Sequence, residues 1–261
     1  MQTPRHPNAK YVLATLMLSL WFGFGLAAIA PLYAQAPAGE GEAAPVQKTS
    51  LLDLIKAGGW AMYPLGTLSL AMIAMATVNY QKINAKKMMP PEIVGQIKAA
   101  ASNRDAQKIF DLSVATNSLF TNALAAGLRK LNPHDPEGSK PNVEQAISEA
   151  VGREENQLGF WINFLSLIAA VSPMVGLLGT VSGMIGAFQK IGAGGMGKPE
   201  QLAGDIGQAL ITTATGLIIA IPAMFFFFMF RNILNRLIQK AETDFSIVLD
   251  ELTGVGLEEE G

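Results

Sequence analysis

Two long apolar stretches of this chain carry polar residues that a lipid-facing helix has no use for. The first, Phe160–Ile191, contains Ser172, Thr180 and Ser182 among glycines. The second, Asp205–Phe230, contains Gln208, Thr212, Thr213 and Thr215 among Ile, Ala and Leu. Polar groups at membrane depth are unfavourable unless they face a partner helix or a water-filled path. At about 100° per residue, Gln208, Thr212 and Thr215 lie within about 60° of one another with Asp205 on the same side, and Thr213 is rotated about 140° from Gln208. One helix face thus carries a polar track, while Phe225–Phe228 and Phe230 face lipid or neighbouring subunits. Any single threonine is better explained by a bond to a backbone carbonyl or a neighbouring helix. The set together, opposite Thr180, points to a polar path.

The bulk composition agrees with a membrane setting. Half of the 261 residues are hydrophobic and only 15% are charged, which lies outside the usual soluble range. The net charge of −2 gives no reason to expect nucleic acid. With no cysteine, a disulfide framework is excluded, and His6 and His134 are too far apart in sequence to suggest a metal site. Gly192–Lys198 imitates a phosphate-binding loop, but Pro199 stands where a magnesium-holding Ser or Thr would, and no strand precedes it. Nothing argues for an enzyme or a cofactor.

The elements that must position the polar residues follow from charge and hydropathy. Residues 1–34 read as a signal peptide: Arg5 and Lys10 precede the apolar core Tyr11–Ala30, which is long enough to remain as an uncleaved helix. Residues 35–57 read as a periplasmic linker. A first span over 58–80 is flanked by Lys82, Lys86 and Lys87, which mark its inner end and leave the mature N-terminus outside. Residues 81–158 hold the charge that the spans lack and read as a cytoplasmic helical region, with Pro90-Pro91 able to open a helix. In that region Asn132–Pro141 reads as a breaker, followed by a capping box at Asn142 and Gln145.

From Val143 no stop signal appears before Gly192. A helix of that length would run about 70 Å, against a hydrocarbon layer of about 30 Å, so its first part must project inward and residues 159–190 form the second span. Residues 191–203 are a periplasmic loop and 204–230 a third span. An amphipathic cytoplasmic tail, 231–261, places Leu234, Leu237, Ile238, Ala241, Phe245, Val248 and Leu249 at helical spacing. The fold class is an all-α membrane protein, with helices two and three extended into a cytoplasmic helical domain. Gly176, Gly179, Gly183 and Gly186 recur on one face, where another backbone approaches closely. Pro173 and Pro222 should kink or loosen their helices.

Ser172-Pro-Met-Val-Gly-Leu-Leu-Gly-Thr-Val-Ser-Gly-Met-Ile-Gly-Ala-Phe188 and Ile206-Gly-Gln-Ala-Leu-Ile-Thr-Thr-Ala-Thr-Gly-Leu-Ile-Ile-Ala-Ile-Pro-Ala223 closely resemble the paired blocks of the MotA/TolQ/ExbB proton-channel family, in order and spacing. The ExbB/TolQ branch fits better than MotA. The resemblance implies a homopentamer in the bacterial inner membrane, built around the single-span helices of an ExbD/TolR-like partner, whose carboxylate carries protons. Movement then passes through a TonB-like protein to the outer membrane. By position, Thr180 and Thr213 match the family's pore threonines. One departure stands out: ExbB-type proteins carry a glutamate where this chain has Gln208, and an amide cannot take up or release protons near neutral pH. Asp205, three residues earlier, is the candidate replacement near the outer mouth. A non-conducting scaffold subunit is the rival expectation, and transport of another solute a weaker one.

Overall fold

The computed structural model describes residues 58–192 and 199–254, and every regular element among them is helical. The expected signal peptide, the linker, the centre of the loop after Gly192 and the last residues of the tail lie outside the described residues. A short 3-10 turn, Gly59–Ala61, leads into α1 (Met62–Lys82). Four short helices follow: α2 (Ala85–Met88), α3 (Pro91–Ser102), α4 (Ala106–Ala115) and α5 (Leu119–Leu128). Two very long helices complete the chain, α6 (Pro136–Gly192) and α7 (Pro199–Thr253).

Local chemistry explains where these helices begin and end. Helix α3 opens at Pro91, where the missing N–H is harmless. Asp105 caps α4 through Lys108 N–H, and Ser118 and Thr121 form a reciprocal capping box on α5. Helix α6 departs from the expected start at Asn142. Its first residue is Pro136, and Asp135 is the cap: its carboxylate accepts from Gly138 N–H at 2.9 Å and its carbonyl from Ser139 N–H at 3.2 Å. An aspartate followed by proline at the first helical position outcompetes the later Asn142 signal, so Pro141 lies inside the first turns rather than in a loop. At its far end α7 stops at Gly254, which adopts φ +83°, a left-handed conformation that glycine takes without strain.

Helices α1, α6 and α7 are long and apolar enough to cross a membrane, and most of the apolar window of each is left uncovered by the rest of the chain. At 1.5 Å per residue the 57 residues of α6 run about 85 Å, far beyond a hydrocarbon layer of about 30 Å. The helix continues through Pro173, and α7 through Pro222. Beside Pro173, the Ser172 hydroxyl donates to the Ile168 carbonyl at 2.7 Å, the kind of side-chain bond that steadies a helix around a proline.

The chain forms two compact units. One comprises the described residues up to Ile73 together with Leu167–Met224; the other comprises Ala74–Ser166 and Phe225 onward. In the second unit Ile97, Ile109, Phe120, Leu124, Val143, Leu234, Val248 and Leu249 form a buried core. Phe120 stacks on Phe245 with centroids 4.6 Å apart and planes 5° from parallel. The tail pattern read from spacing places Leu234, Ile238, Ala241, Phe245, Val248 and Leu249 in this core and leaves Leu237 half-buried. Ion pairs ring it: Lys98 with Asp244 at 2.6 Å, Lys140 with Asp250 at 2.7 Å and Arg231 with Glu155 at 3.7 Å. The hydrogen bond that the Lys140 ammonium donates to Asp250 raises its pKa above the ordinary value. The two more exposed pairs, Lys140–Asp250 and Arg231–Glu155, contribute at most about 1 kcal/mol each, whereas Asp244 is buried where Lys98 meets it.

Phe120→Ala should therefore loosen this unit by about 3–5 kcal/mol. Limited trypsin digestion checks it: new cuts should appear at Lys108, Arg129 and Lys130 at a temperature where the unsubstituted chain resists.

Candidate functional site

The polar residues of the two apolar blocks all lie in the first unit, where α6 and α7 meet along a strip of missing side chains. A Cβ on Gly176 would stand 2.9 Å from the Thr212 carbonyl oxygen and 3.0 Å from Thr213 Cα. A Cβ on Gly216 would stand 2.6 Å from the Ser172 carbonyl oxygen and 3.3 Å from Gly176 Cα. A Cβ on Gly179 would stand 2.5 Å from Thr212 Oγ1, and one on Gly183 would stand 3.1 Å from Ala209 Cβ. Such approach is available only to glycine. Gly186, of the same sequence repeat, has open space around it, so the packed face ends one turn earlier than the repeat does.

This closeness decides what the threonines do. Thr212, 1% exposed, donates to the Ala209 carbonyl at 2.7 Å and lies 3.3 Å from the Gly176 carbonyl. Thr213 donates to the same Gly176 carbonyl at 3.2 Å. Successive residues on a helix are about 100° apart, yet both hydroxyls reach one oxygen because Gly176 sits between their two directions. Thr215 donates to Ile211 and Thr180 to Leu177, each within its own helix. All four hydroxyl protons are thus committed to backbone carbonyls. Their oxygens keep lone pairs, so they can accept a hydrogen bond from water but have no proton free to donate.

The other two residues of the polar track are also occupied. Asp205 forms a two-pronged ion pair with Lys190 at 2.8 and 2.9 Å, joining the facing ends of α6 and α7. The Gln208 amide Nε2 fills the space where a side chain on Gly59 would be. Gly59 has φ +64°, so glycine is required there by conformation and by space. In the same turn the Trp60 indole N–H donates to Ser182 Oγ at 3.1 Å, and Ala61 is buried, its Cβ 3.0 Å from where a Gly179 Cβ would be. The turn before α1 thus lies across both helices of the pair.

Sequence spacing singled out Gly176, Gly179, Gly183 and the threonines. It passed over Gly216, Lys190 and Gly59. Gly216 was visible as a glycine one turn beyond Thr212, and Lys190 as the opposite charge across the break between two apolar stretches. Gly59 had no signal, because its partner Gln208 is remote in sequence.

A helical membrane subunit whose second and third long helices meet through glycine and present threonines at that contact is the class defined by fold and site. A sequence model described as the MotA/TolQ/ExbB proton channel family matches residues 115–243. The chain is 45% identical over 101 residues to the biopolymer transport protein ExbB of Xanthomonas campestris pv. campestris (strain B100), covering 39% of this chain and 40% of that protein. It is 35% identical over 128 residues to the Tol-Pal system protein TolQ of Haemophilus influenzae, covering 49% and 54%. An ExbB-like relative from Synechocystis sp. matches at 30% over 184 residues, 69% of this chain and 70% of that protein. The chain belongs to the MotA/TolQ/ExbB proton channel family, although it spans only about half the length of the first two relatives.

The helix contact makes a paired prediction. Gly216→Ala should force α6 and α7 apart and destabilise the protein by about 1–3 kcal/mol, whereas Gly186→Ala should be neutral or stabilising by up to about 1 kcal/mol. Thermal unfolding of the detergent-solubilised protein, followed by intrinsic Trp fluorescence, should rank Gly186→Ala at or above the unsubstituted chain and Gly216→Ala below it.

Proposed function

We propose that this chain is the channel subunit of an ExbB/TolQ-type motor in the bacterial inner membrane, one that couples proton-motive force to transport in the periplasm or at the outer membrane. In this reading five copies surround the single-span helices of an ExbD/TolR-like partner, and a TonB-like protein passes the movement on. Thr180, Thr213 and Thr215 line the path as hydrogen-bond acceptors for water, whereas Thr212, expected with them from spacing, is buried between α6 and α7 and serves their packing.

The observation that carries the reading is the state of the polar track. The hydroxyl protons of its threonines are bonded to carbonyls, Gln208 is an amide, and Asp205 is held by Lys190. Among the described residues of the three apolar spans, 58–80, 159–190 and 204–230, Asp205 is the only carboxylate, and it is paired. A subunit of this design can hydrate and orient a titrating group but must receive that group from a partner. The same observation supports one rival, a non-conducting scaffold of an envelope complex, because a scaffold needs no titrating group at all.

Flux separates the two. With the complex purified from its native membrane and placed in liposomes under a pH gradient, a pH-sensitive dye should report proton entry. Thr180→Val and Thr213→Val should each reduce it about tenfold or more, the loss that follows when about 1.4 kcal/mol of hydrogen bonding to the path is removed, and Gln208→Glu should leave flux intact. An intact complex with no flux above empty liposomes would favour the scaffold.

A further inference from the structure

Outside the membrane helices, a cavity of about 290 Å³ opens between the end of α4 and one face of α5. Asn122, Ala125, Ala126 and Arg129 line it from α5. Their spacing of three, four and seven residues puts them on one stripe of that helix, about 10 Å long. Val114 and Asn117 close the other side.

Three features mark this groove. Val114 is 58% exposed, and it is the only large apolar side chain left exposed between residues 81 and 159 among the described residues. Arg129 is exposed and, like most basic residues of the second unit, has no ion-pair partner among the described residues. Asn122 Nδ2 donates to Asn117 Oδ1 at 3.0 Å and to Glu154 Oε1 at 3.4 Å, which ties up this one carboxylate at the rim. These bonds leave Asn117 Nδ2 as a donor and Asn122 Oδ1 as an acceptor, neither with a partner among the described residues.

We propose that this groove binds an acidic peptide segment of a partner protein. One donor and one acceptor side by side match the C=O and N–H of an extended peptide backbone, which a simple anion would satisfy only by half. The Arg129 fork suits a carboxylate side chain through two parallel hydrogen bonds. Ala125 and Ala126 form a shallow apolar floor, and with Val114 they cover one apolar side chain next to that carboxylate. An apolar anchor beside an arginine is the composition of interface centres rather than of ordinary surface. The proposal concerns a surface that the conduction path does not use and stands whether or not the chain conducts protons.

The test uses the full chain in nanodiscs and a fluorescein-labelled hexapeptide of alternating Glu and Leu, with its Lys and Leu counterpart as control. Anisotropy should show saturable binding of the acidic peptide only, weakened about tenfold or more by Arg129→Gln and less by Arg129→Lys. Val114→Asp should also weaken it, while the melting temperature of each variant stays unchanged. Equal binding to the unsubstituted chain and to Arg129→Gln, or no binding of the acidic peptide, overturns the proposal. So does displacement of the peptide by millimolar citrate or inorganic phosphate, which would make this a small-anion site. A cysteine placed at Asn117 gives the last arm: failure to react with a maleimide in the purified chain would mean that a second copy covers the groove, again overturning the proposal.

Discussion

The backbone contact between Gly176 and Gly216 is the constraint on which the rest of the first unit depends. Without side chains at these two positions, the carbonyls of Ser172 and Thr212 come within reach of the opposite helix. That approach puts Thr212 and Thr213 on a single carbonyl and leaves room for the turn at Gly59 to seat Gln208. In lipid there is no hydrophobic gain from pairing two apolar helices, so close van der Waals packing and side-chain hydrogen bonds must hold them. The glycines supply the first and the threonines the second.

The same economy governs charge. An acid near the start of α7 would be unfavourable in an apolar setting unless paired, and Lys190 pairs it. The second unit is built on different physics. Its buried residues are mainly aromatic and aliphatic, including the Phe120–Phe245 stack, with Asp244 buried against Lys98 and two further ion pairs at the edge where solvent screens them. One polymer thus joins its long helices through small residues in the first unit and through large apolar ones in the second. The two long helices contribute to both units.

Much of this was legible in the sequence, because the relevant signals are local. The positions of the long apolar helices, the helix opening at Pro91 and the apolar stripe from Leu234 to Leu249 follow from runs, prolines and 3.6-residue spacing. The start of α6 was misplaced because two capping signals, Asp135 and Asn142, compete within two turns of each other. The stronger one, Asp135 before Pro136, lay inside a stretch rich in turn residues. Contacts between remote segments were not legible at all. Nothing near Gln208 announces Gly59, nothing near Ser182 announces Trp60, and the sharing of the Gly176 carbonyl by two threonines emerges only when the helices are packed. The groove beside α5 is of the same kind, since its walls come from two helices whose separate patterns say only which face of each is buried.

The central claim is that this chain shapes and hydrates a path but brings no proton-carrying acid of its own. Native mass spectrometry of the complex, extracted in gentle detergent from the membranes where the chain is made, tests this most directly. The account predicts several copies of this chain, five by the proposed arrangement, together with a second protein that has a single apolar span and an Asp or Glu within it. A complex of this chain alone, or with partners that carry no acid in a membrane span, would contradict it.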